Sequence, residues 1–504
     1  MTIHGILTRD GRHTMKTAFA LTLAALAFAP AAFAQEPVDR DMIARIRAEG
    51  LDRSRVLQLY GHLTDVIGPR LTGSPAYRQA ADWTRAQFAT FGLANAHLET
   101  FDFGRGWTLE GLALEMTTPR YFPLIGYPEA WTPSTDGTLD GVPLYVGDRT
   151  ADQIRAMADR IRGAIVLPLP PQTEFIKDDR TQPADTDEQV RIGAPPNLAG
   201  RNRAVVETRE LMPLLRELGA GVILRPNQGE HGTIFVLGNR NTTDDASPVV
   251  ILATEHYNML VRMLQSGVSP RLRVHVRAQY HEQDANGYNV IAEIPGTDPA
   301  LRDQVVLVGA HLDSWHSSNG ATDNADGSAE VMEAARILMA VGARPRRTIR
   351  FALWGGEEQG LLGAGAYAQQ HLAGDANAAN RDNFYVYFND DPGTGATYGW
   401  YLQDNAAIKP IFDAWLEPLR DLGVKKNVID AIGSTDHLRF TRLGLHGYNA
   451  IKDYVDYDVR THHTNTDFFE RVSEQDLKQS AIVLAVFAWH AAMRQAPLPG
   501  SPAR

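Results

Sequence analysis

The sequence predicts an α/β fold, built as a three-layer sandwich around a mostly parallel central sheet. Three apolar runs rich in β-branched or aromatic residues indicate strands that are buried on both faces. Each run gives way to a polar loop, and a helical pattern follows the first two, which is typical of strands that alternate with helices. The runs are Val305–Val308, Thr348–Trp354 and Phe384–Phe388.

The loop after the first run carries the residues of a candidate metal site. His311 and Asp313 stand at the predicted end of the strand, and Asp323 follows in the same polar loop. Imidazole nitrogen and carboxylate oxygen are ligands that suit zinc. Asp313 is close enough in sequence to accept the ring N–H of His311 that a metal would leave free. The alternative interpretation is a plain surface loop after a strand.

Three later segments place further acids or imidazoles where a run ends. They are Glu357–Glu358 after the second run, Asp390–Asp391 after the third, and His462–His463 near the C-terminal end, with Asp467 just beyond. Open α/β sheets place their sites beyond the carboxyl ends of the strands. Acidic pairs at such positions are often helix N-caps, but four coincidences of this kind favour one shared site.

These blocks resemble a known family, the co-catalytic di-zinc exopeptidases that include bacterial leucine aminopeptidases and plasma glutamate carboxypeptidase (carboxypeptidase Q). The order and spacing of five blocks agree with the family, over roughly Leu51 to the C-terminal region. The blocks are His311-Leu-Asp313-Ser, Gly320-Ala-Thr-Asp323-Asn324, Glu357-Glu358-x-Gly360-Leu361, Asp391 before Pro-Gly, and His463-Thr464-x-x-Asp467.

The resemblance implies two zinc ions per chain and a ligand set for each. One zinc would bind His311 and Asp391, the second would bind Glu358 and His463, and Asp323 would bridge the two. It also implies an enzyme, a zinc metallopeptidase of the exopeptidase class. Such an enzyme hydrolyses small peptides as an aminopeptidase, a dipeptidase or a carboxypeptidase.

The resemblance assigns supporting roles to further residues. Glu357 would be the general base, and Asp313 and Asp467 would orient the ligands from the second layer. Asp436 and His437 resemble an element that lies near the substrate pocket in the family.

Two of the ligand assignments have a neighbouring competitor. Asp390 competes with Asp391, and the position before Pro-Gly favours Asp391. His462 competes with His463, and the spacing to Asp467 favours His463. Two rival functions also remain: a glutaminyl cyclase, which shares this fold but uses a single zinc, and a non-catalytic binding relative of the same fold.

Composition limits the classes of function. The chain has 504 residues, 44% of them hydrophobic, which suffices for two domains with a sizeable core. Its net charge of −11 argues against a nucleic-acid partner. It contains no cysteine, so any metal must bind to histidine and carboxylate. The expected partners are a peptide substrate and, by analogy with relatives, a second copy of the chain.

The chain divides into four predicted parts. Residues 1–34 form a signal peptide, 35–130 contain N-terminal helices and the first part of the catalytic domain, and 280–504 complete that domain. Residues 131–279 resemble the β-rich protease-associated insert of some relatives, which we expect to carry no chemistry. Its predicted strands are Val142–Val146, Gly163–Leu167, Gly221–Leu224 and Val249–Leu252.

The N-terminal segment predicts a secreted or periplasmic protein. Lys16 precedes the apolar run Ala18–Ala29, and Ala32-Phe33-Ala34 forms an Ala-x-Ala cleavage site. The run is shorter than the roughly 20 residues that span a bilayer, which argues against a membrane anchor.

We therefore expect the mature protein to begin at Gln35 and to be soluble, with no membrane association after cleavage. Intact-mass measurement of the exported protein tests this expectation. A mass that retains the apolar segment would contradict it.

Overall fold

The structure is a computed structural model, and it describes residues 36–186 and 210–500. The predicted signal peptide, residues 1–34, lies outside the described residues. The helices are α1 (Arg40–Asp52), α2 (Val56–Gly61), α3 (Pro75–Thr90), α4 (Ala151–Arg155), α5 (Ala158–Ile161), α6 (210–217), α7 (Thr254–Gln265), α8 (Asp326–Ala340), α9 (Leu362–His371), α10 (Ala378–Asp382), α11 (Lys409–Leu416), α12 (Leu438–Thr441) and α13 (Glu474–Met493).

The strands form three sheets. They are β1 (Ala94–Asp102), β2 (Gly106–Thr118), β3 (Phe122–Pro123), β4 (Gly126–Pro128), β5 (Leu139–Gly141), β6 (Leu144–Tyr145), β7 (Ile165–Leu167), β8 (Val222–Pro226), β9 (Val249–Leu252), β10 (Arg271–His281), β11 (Asn286–Ile294), β12 (Val305–His311), β13 (Thr348–Trp354), β14 (Phe384–Asn389), β15 (Thr397–Tyr401) and β16 (Gly447–Lys452).

The largest sheet has seven strands in the order β1-β11-β13-β12-β14-β16-β15. Its centre is parallel, because β12 pairs parallel with β13 and β14, and β14 pairs parallel with β16. The flanking strands β1, β11 and β15 run antiparallel. The predicted α/β class is therefore confirmed, and the three apolar runs are the three central strands.

Helices cover both faces of this sheet. Side chains of β12 alternate between the faces, as the pleat of a strand requires. Val306 and Val308 join the core cluster that contains α8 and α13, whereas Leu307 joins the opposite cluster with residues of α9 and α12. A strand that is buried on both faces reads as a continuous apolar run, which is why it was visible in the sequence.

The last helix, α13, is the longest and packs against α8 and the sheet. The side chain of Ser473 caps it by accepting a hydrogen bond of 3.1 Å from the Asp476 N–H. Phe487 on this helix is fully buried among the rings of Phe388, Trp400 and Phe412. Among the described residues, no helix combines the length and the apolar character needed to cross a bilayer.

A second body, residues 106–281, is inserted between β1 and β11, and we call it the insert. It contains the sheets β3-β2-β10-β5 and β4-β9-β8-β7-β6. Its strands β7, β8 and β9 run parallel and are accompanied by helices α4 to α7, so the insert is itself α/β in character. The sheets of the insert begin at Gly106, because β2 pairs antiparallel with β10 from Gly106 opposite His281 to Thr118 opposite Arg271. The predicted limits at 131 and 279 therefore differ from the limits of the sheets.

Replacing Phe487 with alanine should lower the free energy of unfolding by about 3–5 kcal/mol, because the cavity would lie among large aromatic rings. Phe468→Ala is the matched control, since that ring is 41% exposed and should cost about 0.5 kcal/mol or less. Urea unfolding of both variants measures the difference. Equal costs would contradict the proposed packing of α13.

Candidate active site

Loops at one edge of the central sheet bring the predicted ligands together. His311 ends β12, and Glu357–Glu358 and Asp390–Asp391 follow β13 and β14. Because β13 and β14 flank β12 in parallel, these three strand ends meet at the same edge. Asp323 arrives from the turn before α8, and His463 from the loop after β16. Apart from His311 and Asp390, these residues border a cavity of about 350 Å³.

The carboxylate of Asp323 lies between the two imidazoles. His311 Nε2 is 3.2 Å from Asp323 Oδ1 and 3.8 Å from Asp391 Oδ1. His463 Nε2 is 3.2 Å from Asp323 Oδ2 and 2.8 Å from Glu358 Oε2. The five side chains thus form two groups that share one carboxylate, each group combining a histidine with a second acid.

Asp313 and Asp467 support this arrangement from behind. His311 Nδ1 lies 3.0 Å from the backbone carbonyl oxygen of Asp313 and 3.5 Å from its carboxylate. Asp313 Oδ1 also accepts a hydrogen bond of 3.2 Å from the Glu357 N–H. Asp467 accepts one of 2.8 Å from the Thr322 N–H, so it holds the turn that carries Asp323.

The structure distinguishes Asp391 from Asp390 but leaves both histidines of the second pair near Asp323. Asp390 points away from the imidazoles and lies 3.7 Å from the ammonium of Lys452, whereas Asp391 faces His311. His463 contacts Glu358. The ring of His462 lies 3.8 Å from that of His463, and its nitrogen is still close enough to Asp323 for a shared ion.

Burial and charge shape the electrostatics of the centre. Burial raises the pKa of Glu357 well above its ordinary value; His311 opposes this shift and Asp391 adds to it. Burial and the charge of Asp323 raise the pKa of Glu358 to about 7. Burial lowers the pKa of His463, but the carboxylates of Glu358 and Asp323 outweigh it and raise the value to about 10. Several buried acids therefore lie close together here, and a bound cation would compensate their charge.

The donor set fits a metal ion. His311 Nε2 and Glu358 Oε1 are buried and have no hydrogen-bond partner within the described residues. Two groups of possible ligand atoms, His311–Asp323–Asp391 and Asp323–His462–His463, each lie within 4.8 Å of one another. Glu358 adjoins the second group, 2.8 Å from His463. Imidazole and carboxylate ligands in such clusters suit zinc.

Arg70 is a buried support that the sequence did not predict, because its main partners are backbone carbonyls far away in the chain. It is fully buried, and its guanidinium donates only to backbone carbonyls. Three of its acceptors are Leu312, Asn319 and Gly320, at 2.8 Å each. It therefore fixes the loop between His311 and Asp323. Burial lowers the pKa of this guanidinium to about 10.

A second unpredicted support is the buried ammonium of Lys452 at the end of β16. It lies 2.7 Å from Glu330 and 3.1 Å from Asp326, both on α8, and 3.7 Å from Asp390. This ion cluster connects the helix that follows Asp323 with the loop that carries Asp391. Breaking such a buried cluster at one partner leaves uncompensated charge.

Asp436 and His437, predicted near the substrate pocket, do not border the cavity. Gly433, Ser434 and Thr435 border it instead. The ring of His437 is fully buried and faces Gln403 and the carbonyl of Ile432, because the chain turns inward after Thr435. Burial lowers the pKa of His437 to about 3 and raises that of Asp436 well above its usual range.

The insert reaches the histidine–carboxylate centre directly. The Val236 N–H donates a hydrogen bond of 2.9 Å to the backbone carbonyl of His463. Arg180 borders the cavity of about 350 Å³ and pairs with Asp458 through contacts of 2.6 and 2.8 Å. The insert therefore forms part of the wall around the centre.

Comparison with known proteins shows which proteins share this α/β sheet and the histidine–carboxylate centre beyond its strand ends. Residues 289–488 match the model of Peptidase family M28. Carboxypeptidase Q of Homo sapiens is 24% identical over 461 residues, covering 91% of this chain and 90% of that protein.

Two solved structures show the same fold. A peptidase M28 precursor from Shewanella amazonensis has a TM-score of 0.69 and 24% identity, with 92% of this chain and 99% of that chain covered. BSAP, a zinc aminopeptidase from Bacillus subtilis, has a TM-score of 0.58 and 19% identity, with 87% and 95% covered. The resemblance predicted from the sequence is confirmed, and with it the prediction that the chain is an enzyme of the peptidase class.

Arg70→Met should lower the free energy of unfolding by about 3 kcal/mol or more, because several buried carbonyls would lose a charged donor. Arg78→Met is the control: its side chain is 46% exposed and pairs with Asp82, so about 1 kcal/mol or less is expected. Denaturant unfolding of the two variants checks this. If Arg70→Met were as mild as the control, the supporting role of Arg70 would be wrong.

Proposed function

We propose that the chain is a secreted or periplasmic zinc exopeptidase that hydrolyses small peptides. The observation that carries the proposal is the carboxylate of Asp323 between His311 and His463, at 3.2 Å from each. Its fold would be the three-layer sandwich of the zinc exopeptidases, with the insert as a module of the protease-associated kind. A homodimer is part of the proposal only by analogy with relatives.

Two zinc ions per chain fit the ligand groups. His311 and Asp391 would hold the first ion, Glu358 and His463 the second, and Asp323 both. When bound, the ions would lower the pKa of water and polarise the scissile carbonyl. The name of the Bacillus subtilis zinc aminopeptidase supports the choice of metal.

Glu357 is the proposed general base. Its side chain borders the cavity, and it forms no described ion pair with His311 or His463. Glu357 is therefore not needed as a metal ligand and can act as a base. Its backbone N–H donates to Asp313, which also contacts His311, so the base has a fixed position relative to the first ligand group. Glu357 would take a proton from water and donate it to the leaving amine.

The size of the cavity supports an exopeptidase. At about 350 Å³ it lies at the small end of ligand sites, and the insert closes one side of it. A site of this size suits the end of a peptide better than a folded chain. One relative is named a carboxypeptidase and one structural neighbour an aminopeptidase. The enzyme could therefore remove residues from either end of a peptide.

The rival functions are less well supported by the geometry. A single-zinc glutaminyl cyclase would need only one of the two groups, whereas Glu358 lies 2.8 Å from His463 and Asp391 lies 3.8 Å from His311. A non-catalytic relative would not need Glu357 beside an intact ligand set. The described site contains both features.

Glu357→Gln should leave metal content and folding nearly unchanged and lower kcat by at least about 10²-fold, because only the proton acceptor is lost. Glu358→Gln is the matched neighbour, and it should lose both metal and activity because an amide replaces a ligand carboxylate. Zinc analysis and peptide hydrolysis are measured side by side. Near-normal turnover of Glu357→Gln would refute the mechanism.

A substrate screen tests the proposed class of reaction. Dipeptides, aminoacyl amides and N-blocked peptides are incubated with the zinc-loaded protein. Cleavage of aminoacyl amides would indicate an aminopeptidase, and cleavage of N-blocked peptides a carboxypeptidase. Cyclisation of N-terminal glutamine without peptide hydrolysis would establish the cyclase instead.

A further inference from the structure

The loop after β7, which belongs to the insert, contacts the turn that leads to His463. We call Asp179 and Arg180 of this loop the clamp, and residues 456–461 the ligand turn. Tyr457 of the ligand turn and Arg180 of the clamp both border the cavity of about 350 Å³. The clamp is therefore close to the proposed ligand of the second ion, although it belongs to another part of the chain.

Both residues of the clamp bind the ligand turn. The carboxylate of Asp179 accepts hydrogen bonds from the backbone N–H groups of Asp456, at 2.8 Å, and Val459, at 3.1 Å. The guanidinium of Arg180 donates to both carboxylate oxygens of Asp458, at 2.6 and 2.8 Å. The backbone N–H of Arg180 donates to the same carboxylate at 2.8 Å. Since bidentate pairs of this kind fix the orientation of both partners, the clamp holds the backbone and a side chain of the turn at once.

The ion pair of the clamp is shielded from water. The side chain of Asp458 is 3% exposed and that of Arg180 is 15% exposed. The guanidinium also lies over the rings of Tyr454 and Tyr457, at 5.0 and 5.2 Å from their centres. A buried ion pair with several hydrogen bonds is broken only at a high cost in free energy, so the clamp is a firm contact.

The chain from Asp456 to His463 begins and ends in a backbone conformation that needs support. Both residues have a φ of 61°, in the left-handed region that residues with a side chain rarely adopt. Such conformations persist where the surrounding structure holds them. Asp179 holds the first of them through the Asp456 N–H. Val236 of the insert holds the second, because its N–H donates to the His463 carbonyl at 2.9 Å.

Tyr457 connects the ligand turn to the two adjacent histidines. Its ring is stacked on that of His462, with 4.9 Å between the ring centres and 20° between the planes. The ring of His462 in turn lies 3.8 Å from that of His463. His463 Nε2 must stay near Asp323 and Glu358 to bind an ion with them, so a shift of the ligand turn would displace a ligand.

We propose that Asp179 and Arg180 are positioning residues, which hold the ligand turn so that His463 can bind the second zinc ion. The inference rests on the proposed function and assigns the insert a role in metal binding. The affinity for the second ion then depends on a loop of the insert. The affinity for the first ion, on His311 and Asp391, does not.

Arg180→Met tests the clamp, with Arg105→Met as the matched control. Arg105 is 20% exposed, pairs with Asp244 and lies over the ring of Tyr280, but it does not border the cavity. Titration against a competing chelator measures the zinc affinity of both binding steps. Arg180→Met should weaken one of the two steps about 10- to 100-fold, as is usual when a metal ligand loses the group that orients it. Arg105→Met should change neither step.

Two further variants cover the case that Arg180→Met fails to fold because Asp458 is left buried without a partner. Arg180→Lys keeps the charge but loses the bidentate contact, so its affinity for the second ion should lie between those of the wild type and Arg180→Met. Arg180→Met combined with Asp458→Asn removes both charges, so it should fold and still bind the second ion weakly. Melting curves of the metal-free proteins show which variants fold.

The titration separates this inference from the proposed function. Equal zinc affinities in the wild type and in every folded variant would overturn the inference. A loss of the same size in both binding steps would also overturn it, because it would show a general loss of structure instead of a displaced His463. No zinc binding by the wild type would overturn the proposed function itself.

Discussion

The shared carboxylate of Asp323 is the contact on which the site depends. Its two oxygens each lie 3.2 Å from a different imidazole, and these imidazoles come from segments far apart in the chain. The carboxylate of Asp323 can contact both histidines at once only if the turn before α8 is held rigidly between them. Much of the surrounding structure fixes that turn.

Three buried groups hold it from different sides. Arg70 donates to the carbonyls of Asn319 and Gly320 just before the turn, and Asp467 accepts from the Thr322 N–H within it. Lys452 contacts Asp326 just after it. Each group is buried, so each hydrogen bond or ion pair is lost only at a high cost in free energy. The rigid turn also keeps the carboxylates of Asp323, Glu358 and Asp391 close together. A bound cation would compensate their negative charge.

Local patterns explain what could be predicted from the sequence. Strands β12, β13 and β14 have continuous apolar residues, so their positions followed from the sequence alone. The ligand-bearing loops were predicted because each follows such a strand. Arg70 and Lys452 could not be found in this way, since their partners are remote backbone carbonyls and acids on another helix. The direction of His437 likewise depends on a tertiary turn.

The insert shows the same limit at the level of domains. Its short strands were predicted, but its beginning at Gly106 depends on the pairing of β2 with β10, which are far apart in sequence. Its contact with the loop of His463 has no local signal either, because backbone atoms and the side chain of Asn465 make it between segments far apart in the chain. Two parts of the chain thus meet at the loop of His463.

Anomalous diffraction at the zinc absorption edge, from crystals of the zinc-loaded full chain, tests the central claim most directly. We expect two peaks, one beside His311 and Asp391 and one beside Glu358 and His463, with Asp323 between them. A single peak at full occupancy, or a second peak away from Asp323, would contradict the account.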